Sequence, residues 1–193
     1  MPRAGLDKVT VVETAAVILN EEGVEALTLN RLAQELGVKT PSLYNHIDGL
    51  PGLYRELAIL NARNLGERFT QAAIGKAGST ALIAVAQAYR AYIKEAPGVY
   101  LVSLRSSGTQ QPIDAELSAA EEQSVSVAVA VVASFSLTGN DALHAVRGLR
   151  SLVHGFATLE IAGGFGLPLD LDESFKRLLQ MFVQALQAIG GTA

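Results

Sequence analysis

Glycine and proline cut the first third of this chain into segments so short that only helices packed on one another can use them. Asp7 to Glu22 places Val9, Val12, Ala16, Ile18 and Leu19 near a 3.6-residue period, and Gly23 stands where a helix ends in a left-handed residue. Thr28 sits as an N-cap ahead of Leu29, Leu32, Ala33 and Leu36, and Gly37 ends that segment. Thr40-Pro41 then pairs an N-cap candidate with proline at the first helical position, where the missing N–H is an orphan anyway. The third segment runs from Pro41 to about Ile47 and closes at Asp48-Gly49. These three predict a compact trihelical unit.

Longer segments follow. The pattern predicts helices from Leu53 to about Ile74, Thr80 to Ala96 and Val99 to Arg105, then a polar linker from Ser106 to Pro112. Val125, Val127, Val129 and Val131 alternate as a strand would, but with Ser126, Ala128 and Ala130 between them they also suit a buried helix. No second strand-like run exists to pair with them, so Ile113 to Leu137 is expected to be helical. Asp141 to Gly163 and a last helix, capped by Asp172 and ending at Ile189, complete the chain. The expected fold is all-α with about nine helices. The punctuation divides the chain into a trihelical unit over 1–50 and a larger helical bundle over 51–193.

Composition bounds the function. With 49% hydrophobic and 18% charged residues the chain can bury enough apolar surface to fold. The absence of cysteine removes disulfides, thiolate zinc sites and thiol nucleophiles. A net charge of −4 excludes a globally cationic nucleic-acid binder but not a local patch. The N-terminus lacks the apolar stretch of a signal peptide. The uncharged run from Gln123 to Asn140 is broken by Ser124, Ser126, Ser134, Ser136, Thr138 and Gly139. A cytoplasmic protein with no membrane partner is expected.

The informative stretch is Leu27 to Ile47. Two short helices meet at Gly37, with Leu32, Leu36, Val38, Leu43 and Ile47 spaced to fill the corner. In such a helix-turn-helix the second helix enters the major groove of DNA. With Leu43 and Ile47 inward, Thr40, Pro41, Tyr44 and Asn45 face out. The run from Leu27 to Leu57, and above all Leu32 to His46, resembles the DNA-binding region of tetracycline-repressor (TetR) family regulators in sequence, spacing and position. Arg150 to Leu178, including His154 to Glu160 and Leu169 to Phe175, resembles more weakly a C-terminal domain common among them, which implies a helix-turn-helix DNA-binding domain over 1–50 and a ligand-binding and dimerisation domain over 51–193.

The resemblance implies roles. Thr28 and Asn30 match positions near the phosphate backbone, and Lys39, Thr40, Pro41 and Ser42 match the base- and phosphate-facing start of the recognition helix. Tyr44 and His46 match backbone-contacting positions, with Asn45 beside them on the groove side. Leu50 stands where the family usually carries a lysine for a phosphate. Residues 1–60 hold five basic against eight acidic side chains, net −3, so affinity leans on neutral donors, helix N-termini and Arg3, Lys8 and Lys39.

Elsewhere the sequence offers less. His144 and His154 lie about 80° out of register on one helix and lack a carboxylate pair at ligand spacing, so no metal is expected. Arg147, Arg150 and His154 share a stripe, read first as a solvated basic face. Glu160, between Leu159 and Ile161, is either a solvated glutamate or a hydrogen-bonding group for a ligand or partner. Tyr89, Tyr92, Tyr100, Phe135 and Phe156 are candidates to line an apolar pocket, with His154 and Glu160 as its polar members. No nucleophile elbow, phosphate loop or paired-acid arrangement supports catalysis, and no cofactor is implied.

The function expected is a ligand-responsive transcriptional regulator, most often a repressor in that family. Its partners would be a double-stranded DNA operator, a small-molecule effector and a second copy docked through the last two helices. The alternative is a helical protein-interaction module that has lost DNA binding, favoured by the acidic head and Leu50. The predicted dimer faces are Leu149, Leu152, Val153 and Phe156 on one helix and Leu178, Leu179, Phe182, Val183 and Leu186 on the other.

Overall fold

A computed structural model of the chain describes residues 6–106 and 114–191. Among these residues eight α-helices and two short 3-10 helices occur, with no strand. The elements are α1 (Lys8–Glu22), a 3-10 turn (Val24–Ala26), α2 (Leu29–Glu35), a 3-10 recognition helix (Thr40–Asn45), α3 (Gly49–Ala73), α4 (Gly78–Glu95), α5 (Pro97–Ser106), α6 (Ala115–Ala133), α7 (Gly139–Ile161) and α8 (Leu171–Gly190). Arg3 and all of the expected linker but Ser106 lie outside the described residues. The all-α class is as expected, and the alternating valines are helical, within α6.

The chain forms two compact units. In the first, α1, α2, the recognition helix and the start of α3 close on a core of Val11, Ile18, Leu19, Leu32, Leu43, Leu53 and Leu57. Val99 and Val102 of α5 join that core. The Asn20 side chain fixes α5 to α1: its Oδ1 accepts from the N–H groups of Gly98 and Val99, both at 3.1 Å. Those N–H groups lie in the first turn of α5 and have no intrahelical acceptor, so Asn20 caps a helix 78 residues away. In the second unit α4, α7 and α8 turn Val85, Ala86, Ile93, Val153, Phe175 and Leu179 inward.

Three local expectations are corrected. Thr40 does not cap the recognition helix: Lys39 is the N-cap residue, extended at φ −86°, and makes no side-chain cap bond. The helix is 3-10, with Ser42 N–H donating to Lys39 O at 2.9 Å and His46 N–H to Leu43 O at 2.9 Å. Asp172 does not cap α8. Asp170 accepts from Glu173 N–H at 2.7 Å, and Asp172 instead takes a hydrogen bond from Arg90. The residues named for a dimer face are mostly core: Leu149, Val153, Phe156, Leu179, Val183 and Leu186 are buried within the chain. What α8 leaves outside is a neighbouring stripe of Met181, Ala185 and Ile189, flanked by half-buried Leu178 and Phe182.

Candidate nucleic-acid interface

Thr28 stands in extended backbone before α2, and its Oγ1 accepts from Arg31 N–H at 3.1 Å. That cap fixes where α2 begins. At the other end Gly37 adopts φ 66°, a left-handed conformation that costs other residues strain, and the chain turns sharply there. Val38 N–H donates to Ala33 O at 3.0 Å across this corner. The recognition helix is therefore held at both ends, by Gly37 before it and by Leu43 and Ile47 (0% and 5% exposed) beneath it.

The outward face matches the sequence reading at Pro41, Tyr44 and Asn45 but not at Thr40. Tyr44 is 58% exposed, with Lys39, Pro41 and Asn45 also exposed and Thr40, Ser42 and His46 half-buried. Thr28 and Asn30 are exposed on the same unit. Asn30 reaches the recognition helix directly, as Thr40 Oγ1–H donates to Asn30 Oδ1 at 2.8 Å. Asp7 caps α1 through Thr10 N–H at 2.7 Å. That bond, the Thr10 side chain and, weakly, the nearby charge of His46 hold its carboxyl below the usual carboxylate range.

The basic side chains are distributed unexpectedly. Arg31 is gripped by Glu22 and Glu35, each at 2.6 Å, and Arg55 by Asp114 and by Glu116 at 2.9 Å. These carboxylates push both guanidinium groups further from deprotonation. Lys8 pairs with Glu56 at 3.0 Å. Lys39 has no ion pair among the described residues, so it is the cation that the recognition helix offers outward.

The candidates for an effector site are spread over both units. Tyr100, on α5, belongs to the first. Tyr89, Tyr92, Phe135, His154, Phe156 and Glu160 belong to the second. Tyr89 packs edge-on to Phe69 with centroids 5.3 Å apart, and Tyr92 lies under Arg68 at 5.1 Å. Phe135 is buried and His154 half-buried. Phe156 and Glu160 meet around a residue the sequence reading passed over. Arg90 donates to Glu160 through Nε at 2.7 Å and Nη2 at 2.8 Å, and to Asp172 through Nη1 at 2.7 Å. Its guanidinium sits 5.2 Å from the Phe156 ring centre and 4.8 Å from that of Phe175. Lys94 adds a 2.6 Å bond to Glu160. A signal did exist: Arg90 falls four residues after Ala86 on the apolar stripe of α4, and Glu160 four after Phe156 on that of α7.

A capped α2, a left-handed corner and a buried-faced helix with an exposed aromatic-polar side define a helix-turn-helix transcriptional regulator. Residues 11–48 match the family of bacterial regulatory proteins, tetR family, and residues 82–182 the tetracyclin repressor-like C-terminal domain. An uncharacterized HTH-type transcriptional regulator of Mycobacterium tuberculosis is 34% identical, covering 98% of this chain and 87% of the relative. The chain belongs to the TetR family of transcriptional regulators. Its fold is shared with a protein of unknown function from Rhodococcus sp. RHA1 (TM-score 0.81, 21% identity, 97% and 99% of the two chains covered). It is shared too with a TetR variant from Acinetobacter baumannii AYE solved in complex with minocycline (TM-score 0.72, 22% identity, 96% and 98% covered). No described helix is long and apolar enough to cross a membrane.

Proposed function

We propose that this regulator is a homodimeric repressor that docks the Lys39–His46 face of each head in successive major grooves of a palindromic operator and is released by a small molecule. The observation that carries the docking is the exposure of Tyr44 between Pro41 and Asn45 while Leu43 and Ile47 anchor the helix from below. In this reading Lys39, Ser42, Tyr44 and His46 meet phosphates, with Thr28 at the start of α2. Thr40, Pro41 and Asn45 meet base edges. A gel shift with the promoter region beside its own gene tests it against the interaction-module alternative.

Two variants sharpen that test. Lys39→Ala should weaken all duplexes alike and flatten the dependence of log affinity on log salt by about one unit per head, because one phosphate neutralisation is lost. Tyr44→Ala should lose operator affinity at unchanged melting temperature. An early-melting Tyr44→Ala protein with full affinity would show that the ring serves the core.

Dimerisation through α7 and α8 is supported by the apolar side chains they leave outside: Met181 at 59% exposed, Ile189 at 55% and Leu159 at 49%. Met181→Asp is expected to shift sedimentation of the purified protein from a dimer toward the 20.3 kDa chain. Wild-type protein sedimenting only as that chain at micromolar concentration would sink the dimer. An effector acts only through its different affinity for the docked and undocked head spacings, typically about 1–3 kcal/mol of coupling. Tyr89, Tyr92 and Phe156 favour an apolar or amphipathic one. Operator titrations across a panel that includes minocycline read this directly.

A further inference from the structure

We propose that the second unit holds a site for an aryl carboxylate, which Phe165 and Asp172 fill in the free protein, an inference whose regulatory meaning rests on the small-molecule release proposed above. All of its residues belong to that unit. Arg90 is its centre. Nε and Nη2 of Arg90 both donate to Glu160, at 2.7 and 2.8 Å, and Lys94 adds a donor to the same carboxylate at 2.6 Å. Glu160 thereby fixes the plane of the guanidinium, and the rings of Phe156 and Phe175 flank it. Nη1 is left to reach outward. It donates to Asp172 at 2.7 Å, a carboxylate 84% exposed on an arginine 10% exposed. A fixed, buried donor thus meets a loose, solvated acceptor. Ion pairs with an exposed partner contribute little, so another carboxylate displaces Asp172 at small cost.

The aromatic half of the site is filled in the same way. Phe165 lies on Phe156 with ring centres 4.8 Å apart, yet it is 37% exposed while Phe156 and Phe175 are buried. It comes from the α7–α8 connection, in which every residue from Ala162 to Asp170 is exposed. Gly164 N–H donates to Leu159 O at 2.8 Å and Asp170 caps α8, which fixes the two ends of this segment. Between those ends Phe165 stands between Gly164 and Gly166, just after Gly163 at φ 65°, so its backbone turns out with little steric resistance. A phenyl group and a carboxylate, both replaceable, therefore cover a ring and a guanidinium that are not. A ligand carrying the same two groups takes both places at once. Charge selects its acid end. Two cations and two carboxylates meet here, and exchanging Asp172 for a ligand carboxylate keeps that balance. A neutral amide in the same place leaves Nη1 without its charge partner.

The chain contains no Trp, so Phe165→Trp places a single fluorophore on the site. Phenylacetate, 3-phenylpropionate and 4-phenylbutyrate are titrated into the full-length protein, with 3-phenylpropionamide as the neutral counterpart. At least one acid should bind saturably and move the emission of Phe165→Trp to the red, as the indole leaves Phe156 for water. The amide should leave it unchanged. By calorimetry, Asp172→Ala should tighten the acid by up to about fivefold, and Phe165→Ala by about two- to tenfold. Each removes an internal competitor and so raises the fraction of open sites. A residue with a structural role alone moves affinity the other way or not at all. Arg90→Gln combined with Glu160→Gln removes both charges of the buried pair together and should abolish acid binding, with a melting transition to confirm the fold. Equal binding of acid and amide, or weaker binding in Asp172→Ala, would overturn the proposal. So would emission that stays in place while calorimetry registers binding, or no binding of any of the three acids by wild type and Asp172→Ala at millimolar concentration. Bound acid that leaves operator affinity unchanged upholds the site and counts against small-molecule release, so the two readings fail separately.

Discussion

Glu160→Ala is expected to lower stability by about 3 kcal/mol, which in a chain of this size moves the melting temperature down by roughly 6–12 °C. The Glu160 side chain is 9% exposed and that of Arg90 10%, so this pair stands apart from the surface ion pairs of the chain. Two parallel bonds join them, and Phe156 and Phe175 flank the guanidinium. Deleting the carboxylate leaves a guanidinium out of water with only Asp172, whose side chain is 84% exposed, to answer it. A buried charge without its partner costs far more than the intact pair contributes. Lys94→Ala is the contrast, because that side chain is 47% exposed and its bond to Glu160 is screened. It should move stability by less than about 1 kcal/mol. A Glu160→Ala melt that overlays the wild type would show that the cluster is wet and structurally idle.

The same group gives the acid limb of stability its sign. Hydrogen bonds from Arg90 first, then from Lys94, hold the Glu160 carboxyl below its ordinary value of 4.5. The unfolded chain therefore takes up the proton more readily than the folded one. The stabilisation is complete above about 4.5 and is lost as pH falls through the lower, folded value. Asp114, lowered foremost by Arg55, acts in the same direction at the exposed end of α6. Melts taken below pH 4.5 should fall less steeply for Glu160→Gln than for the wild type.

What could be read from the sequence was what short-range chemistry decides. Thr28 as a cap, Gly37 as the tight turn between two helices, and Leu43 and Ile47 inward with Tyr44 outward each follow from residues within a turn or two of one another. The structure bears these readings out. The misjudged features depend on partners far along the chain. Asp170 and Asp172 look alike ahead of α8, and only Arg90, 82 residues from Asp172, decides which of them caps. Thr40 has the composition of a cap, yet its hydroxyl goes to Asn30 in another helix. The α8 face was misassigned for a related reason. Leu178, Leu179, Phe182, Val183 and Leu186 cover more than one apolar stripe, and periodicity does not say which stripe its own chain covers. Lys8, counted on as a cation of the head, is paired with Glu56, a partner far along the chain that a count of charges cannot show.

Gly98→Ala should destabilise the first unit by about 3 kcal/mol, the upper part of the usual range for an added methyl group in a filled site. Helices often tolerate this exchange or gain from it, since glycine is the poorer helix former. Gly98 is different because α5 enters the unit against α1 with no room for a Cβ. That atom would stand 2.9 Å from Leu19 Cβ and nearer still to the Leu19 carbonyl, which is backbone and cannot rotate away. The carbonyl is already engaged, accepting from Gly23 N–H at 3.1 Å at the end of α1. Relief therefore requires α5 to withdraw. Withdrawal would break both bonds from Gly98 and Val99 to Asn20 and pull Val99 and Val102 out of the core they share with Leu19 and Leu53. Asn20→Ala removes the cap alone and should cost only about 1 kcal/mol, so the two variants separate the close approach from the hydrogen bonds. Hydrogen exchange would localise the Gly98→Ala effect to α1 and α5, while α8 keeps its protection. A Gly98→Ala protein as stable as wild type would mean that α5 does not seat on α1 this closely.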